Sequence, residues 1–171
     1  NAERKPHKHM LAGNNDSSFL IKDEGDWFFT NVLIPLMNIH IDNSGAPPMK
    51  SVGKSKGNFK LESFWVNYQK QHEFNPFHIH GGVWSFVVWM KIPTRHEQQN
   101  SHKRSHSTQS PVASAFQFAY LSVIGEQCTH TIEMNPEGHM LLFPAQLAHQ
   151  VYPFYDCDED RISVSGNIVF V

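Results

Sequence analysis

The sequence has few cysteines, little excess charge and no long apolar run. Two cysteines in 171 residues are too few for the disulfide framework of a small secreted domain, so we expect free thiols and a reducing environment. The net charge of −2 gives no reason to expect a nucleic acid or an anionic membrane as partner. The longest apolar stretch, residues 83–90, is too short to span a bilayer.

The N-terminal residues also lack the apolar core of a secretory signal peptide. The sequence begins "NAERKPHKHM", which is polar and basic. A signal peptide needs a continuous apolar segment after its charged start. We therefore expect a cytoplasmic protein with no membrane partner.

The length suits one domain with a sizeable core, preceded by a different kind of segment. Residues 1–57 are interpreted as an N-terminal arm, a helix and a loop. The helix is predicted in "DEGDWFFTNVLIPLMNIH", which has acidic residues at its start and a rough apolar stripe. Pro35 predicts a kink or an end within it. The loop, "IDNSGAPPMKSVGKSKG", is rich in Gly, Pro, Ser and Lys.

Residues 58–171 alternate in the manner of β-strands. "FKLESFWVNYQ" alternates along one strand, "VWSFVVWMKI" is typical of a strand buried on both faces, and "SAFQFAYLSVI" with "QCTHTIEM" predicts a hairpin. Several short strands separated by turn signals indicate an all-β sandwich or barrel of the jelly-roll type. Residues 93–111 are polar and aperiodic, so we expect a long loop there.

Three features with metal-binding or anion-binding chemistry occur in order along this β-rich part. His78 and His80, in "FNPFHIHGG", are two residues apart, so a strand would point both imidazoles to one face. His149 follows in "PAQLAHQVYPF". In "RISVSGNI", Arg161 and Ser163 also share a strand face, and a guanidinium with a nearby hydroxyl can clamp a carboxylate.

Each of these features also has a structural interpretation. His149 could end a strand, and Arg161 could pair with an acidic neighbour, Asp156, Asp158, Glu159 or Asp160. The loop histidines His96, His102 and His106 could be ordinary loop residues or a lid over the barrel mouth.

The segment from about Phe59 to Val171 resembles the 2-oxoglutarate/Fe(II)-dependent oxygenase superfamily, in particular uncharacterised phage and marine bacterial members. The resemblance rests on "NPFHIH", "SFVVWMKIP", "LLFPAQLAHQVYP" and "RISVSGNI". It implies a mainly β fold, a double-stranded β-helix (a cupin-like jelly-roll barrel), with the N-terminal helix packed on it.

The resemblance also implies the cofactors and the residues that hold them. His78, His80 and His149 would bind Fe(II), and Arg161 and Ser163 would hold the distal carboxylate of 2-oxoglutarate. Polar residues near the expected mouth, Asn67, Tyr68 and Asn75, are expected to contact this co-substrate. The implied reaction is the hydroxylation of a protein side chain or a small molecule, with release of succinate and CO2.

One position departs from the superfamily pattern, because His80 stands where a carboxylate is usual. Non-haem iron sites of this kind commonly use two histidines and one carboxylate. Three neutral imidazoles would leave the full charge on the metal and favour an anionic co-substrate. His80 could instead hydrogen-bond a water ligand, or another carboxylate such as Glu73 could approach the metal.

Two other functions stay open. The chain could be a non-catalytic jelly-roll module, for example a virion component, with a vestigial or structural metal site. It could also be a three-histidine dioxygenase that needs no 2-oxoglutarate, although the Arg161 and Ser163 clamp would then lack a purpose. The partners left open are a homo-oligomer and a virus particle, the latter with a host-cytoplasmic or virion-associated location.

Overall fold

The computed structural model describes residues 5–45, 58–133 and 137–171, which contain nine strands and two α-helices. The strands are β1 (Ser17–Leu20), β2 (Phe59–Gln69), β3 (Asn75–His78), β4 (Trp84–Lys91), β5 (Phe116–Leu121), β6 (Gln127–Ile132), β7 (Met140–Pro144), β8 (Ala148–Val151) and β9 (Arg161–Phe170). The α-helices are α1 (Ile34–Ser44) and α2 (His96–Ser101). Neither helix is long and apolar enough to cross a membrane.

The strands form two antiparallel sheets. The large sheet has the order β1-β2-β9-β4-β7, and the small sheet has the order β3-β8-β5-β6. The predicted mainly β jelly-roll architecture and the predicted β5–β6 hairpin are confirmed. The two sheets remain separate hydrogen-bonded layers and do not close into one continuous barrel.

Aromatic side chains fill the space between the two sheets. Trp89 of the large sheet contacts Phe116 of the small sheet with ring centroids 5.9 Å apart. Phe118 and Phe143 face each other in the same way at 5.0 Å. Edge-on contacts of this kind add to the free energy gained by removing the rings from water. The polar site lies against this aromatic layer.

The helical region packs on the opposite face of the large sheet, as expected. Leu33 and Met37 are buried against Trp84, Phe86 and Ile168. Since Trp84 and Phe86 alternate with Val87 and Trp89 along β4, that strand is buried on both faces, which confirms its prediction.

Pro35 lies inside this helical region without ending it. The five residues Phe29–Leu33 wind as a π-helix, and α1 begins directly after them with the proline in its first turn. Proline lacks an N–H and its ring crowds the carbonyl four residues earlier, so a wider turn before it relieves that clash.

The segment interpreted as an arm is attached to the large sheet. Strand β1 pairs with β2, and Pro6 forms a further bridge with Phe19. The predicted loop begins with the last turn of α1, and its remainder, residues 46–57, lies outside the described residues. A division of the chain after residue 57 therefore stays a prediction.

The segment 93–111 contains a short helix, α2, where the sequence indicated only a loop. Gln99 on α2 donates from Nε2 to the Tyr155 carbonyl at 2.9 Å and accepts from the Tyr155 N–H at 2.8 Å. His102 stacks on the Tyr155 ring with centroids 4.7 Å apart. These contacts fasten the segment to the chain just before β9.

Candidate metal centre

Two histidines of the small sheet and one from the segment that follows β3 converge on one point. His78 ends β3, and His149 on the neighbouring β8 lies directly opposite it in the strand register. His80 follows β3 by two residues, and its backbone N–H donates to the Ala145 carbonyl at 2.9 Å. One ligand atom from each imidazole can be chosen so that all lie within 4.8 Å of one another. The spacing in "HIH" and the register of β3 on β8 together produce this cluster.

Two of the imidazoles are oriented by matching hydrogen bonds. His78 Nδ1 lies 2.7 Å from the Pro76 carbonyl oxygen, and His149 Nδ1 lies 2.9 Å from the Leu147 carbonyl oxygen. A carbonyl oxygen only accepts, so each Nδ1 carries the proton and donates it. The lone pair is therefore on Nε2 in both rings. Metal-binding histidines are commonly oriented by such a bond from the second ring nitrogen.

Burial keeps the cluster uncharged. Loss of solvent, together with the neighbouring His149 and His78, lowers the pKa of His80 to about 3. Loss of solvent, followed by the influence of His78, lowers the pKa of His149 to about 4. The pKa of His78 is also lowered by burial, against an opposing effect of its bond to Pro76. Neutral imidazoles at physiological pH have the lone pairs that a metal ion requires.

The hydrophobic wall behind His149 accounts for this burial. The Phe116 ring stacks on the imidazole at 5.4 Å with an interplanar angle of 15°, and Phe143 meets it edge-on at 4.9 Å. Packed aromatic rings also fix the orientation of the imidazole, which a metal ligand needs.

No carboxylate belongs to this cluster among the residues that the structure describes. Glu73, which the sequence left open as a ligand, is used elsewhere. Its two carboxylate oxygens accept the backbone N–H groups of Asp16 and Lys70 at 2.9 and 2.8 Å. The candidate centre therefore offers three imidazoles, and such a donor set suits iron, zinc, copper or nickel. These residues fit a divalent transition metal.

A cavity of about 780 Å³, including its open mouth, lies between the sheets beside the three histidines. The predicted residues that line it, besides the histidines, are Asn67, Asn75, Arg161 and Ser163. The structure thus brings seven of the eight predicted site residues to one space.

Arg161 is the most deeply buried cation of this cavity, with 3% of its surface exposed. Its guanidinium donates to the carbonyls of Ser114 and Tyr152, both at 2.8 Å, and lies 4.9 Å from the centre of the Phe154 ring. Burial lowers its pKa to about 9, so the group keeps its charge at neutral pH. The two carbonyls and the ring hold the guanidinium in place in the cavity wall.

Three of the four acidic neighbours considered as partners of Arg161 have other contacts. Lys91 binds Glu159 at 2.6 Å, His102 lies 3.3 Å from Asp156, and Asp158 accepts from Gln71. These contacts hold the chain that leads into β9.

A polar row crosses the inner face of the large sheet next to Arg161. Ser18, Asn67 and Ser163 are neighbours on β1, β2 and β9. Ser18 Oγ donates to Asn67 Oδ1 at 2.7 Å. This bond does not use the amide nitrogen of Asn67, and Asn67 lines the cavity. This row offers hydrogen-bond donors to a bound anion.

Tyr68 is the one predicted site residue that the structure does not bring to the cavity. It follows Asn67 on β2 and lies on the opposite face, where its ring meets that of Phe19 at 6.2 Å. Adjacent residues of a strand point to opposite faces, so Asn67 and Tyr68 cannot both face the interior.

The loop histidines are not among the described residues that line this cavity. His96 lies 3.4 Å from Glu133, and His102 packs on Tyr155. The structure therefore places His96 and His102 in the anchoring of α2.

Sequence reasoning missed the N-terminal wall of the cavity. The wall residues are Lys8, Leu11, Ala12, Gly13 and Asn15. They belong to an aperiodic stretch whose position depends on pairing with β2 far along the chain. Trp65 and Gln69 also line the cavity, and the alternation of β2 with Asn67 could have identified both.

Comparisons with known proteins agree with this geometry. The model of a family described as "Putative 2OG-Fe(II) oxygenase" matches residues 63–167. No curated protein sequence matches the chain. Among solved structures, a Pseudomonas putida prolyl-4-hydroxylase is similar in fold with a TM-score of 0.50 and 13% identity, over 96% of this chain and 76% of that one. A cupin domain from Bordetella pertussis aligns with a TM-score of 0.34 and 11% identity, over 69% of this chain and 98% of that domain.

Proposed function

The chain belongs to the family of 2OG-Fe(II) oxygenases, whose model spans most of the β-sandwich, and from that premise we propose that it is a 2-oxoglutarate- and Fe(II)-dependent dioxygenase. Its reaction hydroxylates a protein side chain or a small molecule and releases succinate and CO2. The observation that carries the proposal is the convergence of His78, His80 and His149 in the same cavity as the buried Arg161.

The three histidines hold Fe(II) in this proposal. Their role would be to supply three fixed nitrogen ligands to the ion at the wall of the cavity. When bound there, Fe(II) and 2-oxoglutarate supply the activation of O2 and the oxidation of the prime substrate. The hydrogen bonds to Pro76 and Leu147 hold the rings in the orientation that this requires.

Arg161 and Ser163 bind the distal carboxylate of 2-oxoglutarate. Arg161 is held by two carbonyls before any ligand arrives, so little conformational freedom remains to be lost on binding. Asn67 and Asn75 add polar contacts to the same molecule. Because Arg161 is buried, each charged hydrogen bond that it makes is strengthened.

The third imidazole affects the charge of the centre. A carboxylate ligand would cancel part of the metal charge, whereas His80 is neutral and cancels none. We therefore expect the site to favour the doubly charged 2-oxoglutarate more than a site with a carboxylate ligand would.

The experiment that tests the proposal is a succinate assay with Fe(II), O2 and 2-oxoglutarate. We expect succinate from the unmodified protein and a loss of at least about 100-fold in His149→Ala. His130→Ala, an exposed histidine on β6, is the matched control and should retain activity. Absence of succinate from the metal-loaded protein would contradict the proposal.

A second candidate follows from the histidine at the carboxylate position. The same cluster could hold a structural metal in a non-catalytic jelly-roll module, for example a component of a virus particle. In that case the metal would bind and raise the midpoint of thermal unfolding, while 2-oxoglutarate would neither bind nor be consumed.

A further inference from the structure

The N-terminal segment forms one wall of the cavity mouth through Lys8, Leu11, Ala12, Gly13 and Asn15. It is tied to the start of strand β3, which carries His78. The Asn14 N–H donates to the Phe74 carbonyl at 2.8 Å, and Asn15 Nδ2 donates to Asn75 Oδ1 at 3.0 Å. A ligand that enters the cavity through this mouth therefore passes these residues.

The described residues that line the cavity carry charge of one sign. Their ionised side chains are Lys8 at the mouth and Arg161 in the interior, and none is Asp or Glu. The whole chain has 16 acidic and 14 basic residues besides histidine. The positive lining is therefore a local feature, opposite in sign to the net charge of the protein.

The bound co-substrate leaves the charge at the mouth in place. Under the proposed function, the metal brings two positive charges and the neutral histidines bring none, so the two negative charges of 2-oxoglutarate offset those of the metal. Lys8 at the mouth lies outside this balance. A second anionic group is thus favoured at the mouth of the filled cavity.

Lys8 is available to bind such a group. Its nearest recorded charge partner is Asp16, with Nζ and Oδ1 3.7 Å apart, and 53% and 69% of the two side chains are exposed. An exposed pair at that distance is weak and readily exchanged for a better partner. The carboxylate of Glu73, also near this rim, already accepts two backbone N–H groups.

We propose that the prime substrate carries a carboxylate, which Lys8 binds at the mouth of the cavity while the atom to be oxidised faces the metal. This inference rests on the proposed function and adds the substrate class to it. The same chemistry could come from a free organic acid or from an acidic side chain of a peptide.

The test measures binding by calorimetry to protein loaded with Mn²⁺ and N-oxalylglycine, which occupies the co-substrate site without turnover. The probes are matched pairs that differ only in charge. One arm uses dicarboxylic acids and their monoamides, and the other uses capped peptides with Asp or Glu and the same peptides with Asn or Gln.

We expect at least one acid to bind at least about 10-fold more tightly than its amide, as a charge-assisted contact allows. Lys8→Gln should reduce that preference to about 3-fold or less, and Asp16→Asn, which removes the competing carboxylate, should increase it. Lys5→Gln is the matched control, because Lys5 is exposed on the same segment and does not line the cavity. If the tighter binder is a dicarboxylic acid, the carboxylate comes from a free organic acid. If it is a capped peptide, the carboxylate comes from an acidic side chain.

Two results overturn the inference, namely no acid preferred over its amide in either arm, or a preference that survives in Lys8→Gln. If N-oxalylglycine itself does not bind the Mn²⁺-loaded protein, the proposed function fails and this inference fails with it. If N-oxalylglycine binds and the acids show no preference, the inference alone fails.

Discussion

His78 and His149 are cross-strand neighbours whose ring centroids lie 4.3 Å apart, and each donates from Nδ1 to the carbonyl two residues before it. The two strands therefore present equivalent Nε2 lone pairs to one point. His80 adds a third imidazole, and the cavity extends from this cluster to Arg161.

The first prediction concerns the metal ligands. Single replacement of His78, His80 or His149 by alanine removes one of three nitrogen donors, so we expect Fe(II) or Zn²⁺ affinity to fall by at least about 100-fold. Competition with a chromophoric chelator measures this. His130→Ala should bind the metal like the unmodified protein, and an equal loss in that control would contradict the assignment.

The second prediction concerns the charge at position 80. His80→Asp introduces the carboxylate that the family commonly uses, so the metal should still bind. The added negative charge should weaken 2-oxoglutarate binding by about 3- to 10-fold, because the ligand is a dianion close to the same ion. His80→Asn is the control, because asparagine has the shape of aspartate without its charge. If the two variants bind 2-oxoglutarate equally, the electrostatic argument is wrong.

The third prediction concerns the pH dependence of the metal-free protein. In the unfolded chain these histidines titrate near 6.5, while burial holds the folded pKa of His80 at about 3 and that of His149 at about 4. Between these values the unfolded chain binds more protons. The free energy of unfolding should therefore fall as pH drops below about 6.5, by at most about 1.4 kcal/mol per pH unit for each histidine.

Urea unfolding in the presence of a chelator, at pH 7 and pH 5, measures this effect. His149→Gln removes one of the two groups, so the difference between the two pH values should become smaller. A difference that is unchanged in His149→Gln would assign the effect to other groups.

The fourth prediction concerns the close packing at Gly166 on β9. A Cβ there would lie 2.6 Å from Cε1 of Phe86 and 2.6 Å from the Ser63 carbonyl oxygen. Because one contact is backbone and the other is a buried ring, Gly166→Ala should lower the free energy of unfolding by about 2 kcal/mol. Gly81→Ala is the control, since a Cβ at Gly81 meets nothing within 4 Å. Equal unfolding midpoints for the two variants would contradict this packing.

The sequence was informative where local spacing decides the geometry. The "HIH" spacing and the alternation of β9 identified residues that do share one cavity, because a strand repeats every two residues whatever surrounds it. The same rule separates Asn67 from Tyr68, so the assignment of Tyr68 to the site could have been avoided from the sequence.

The sequence was less informative where distant segments meet. The wall formed by Lys8 and Leu11 depends on the pairing of the four-residue β1 with β2, and so short a strand has little pattern of its own. The position of Glu73 depends on the backbone N–H groups that it accepts, which composition and periodicity do not encode.

The central claim is that the three histidines and Arg161 hold a metal and 2-oxoglutarate together. Anaerobic titration of the Fe(II)-loaded protein with 2-oxoglutarate, followed by the visible absorption that arises when the keto acid chelates the metal, tests it most directly. We predict saturation at one 2-oxoglutarate per Fe(II). Arg161→Lys keeps the charge but loses the bidentate fork, so 2-oxoglutarate should bind at least about 10-fold more weakly to this variant. Binding should be unchanged in the exposed control Arg95→Lys. Fe(II) binding without any such absorption, or equal 2-oxoglutarate affinity in Arg161→Lys and the unmodified protein, would contradict the account.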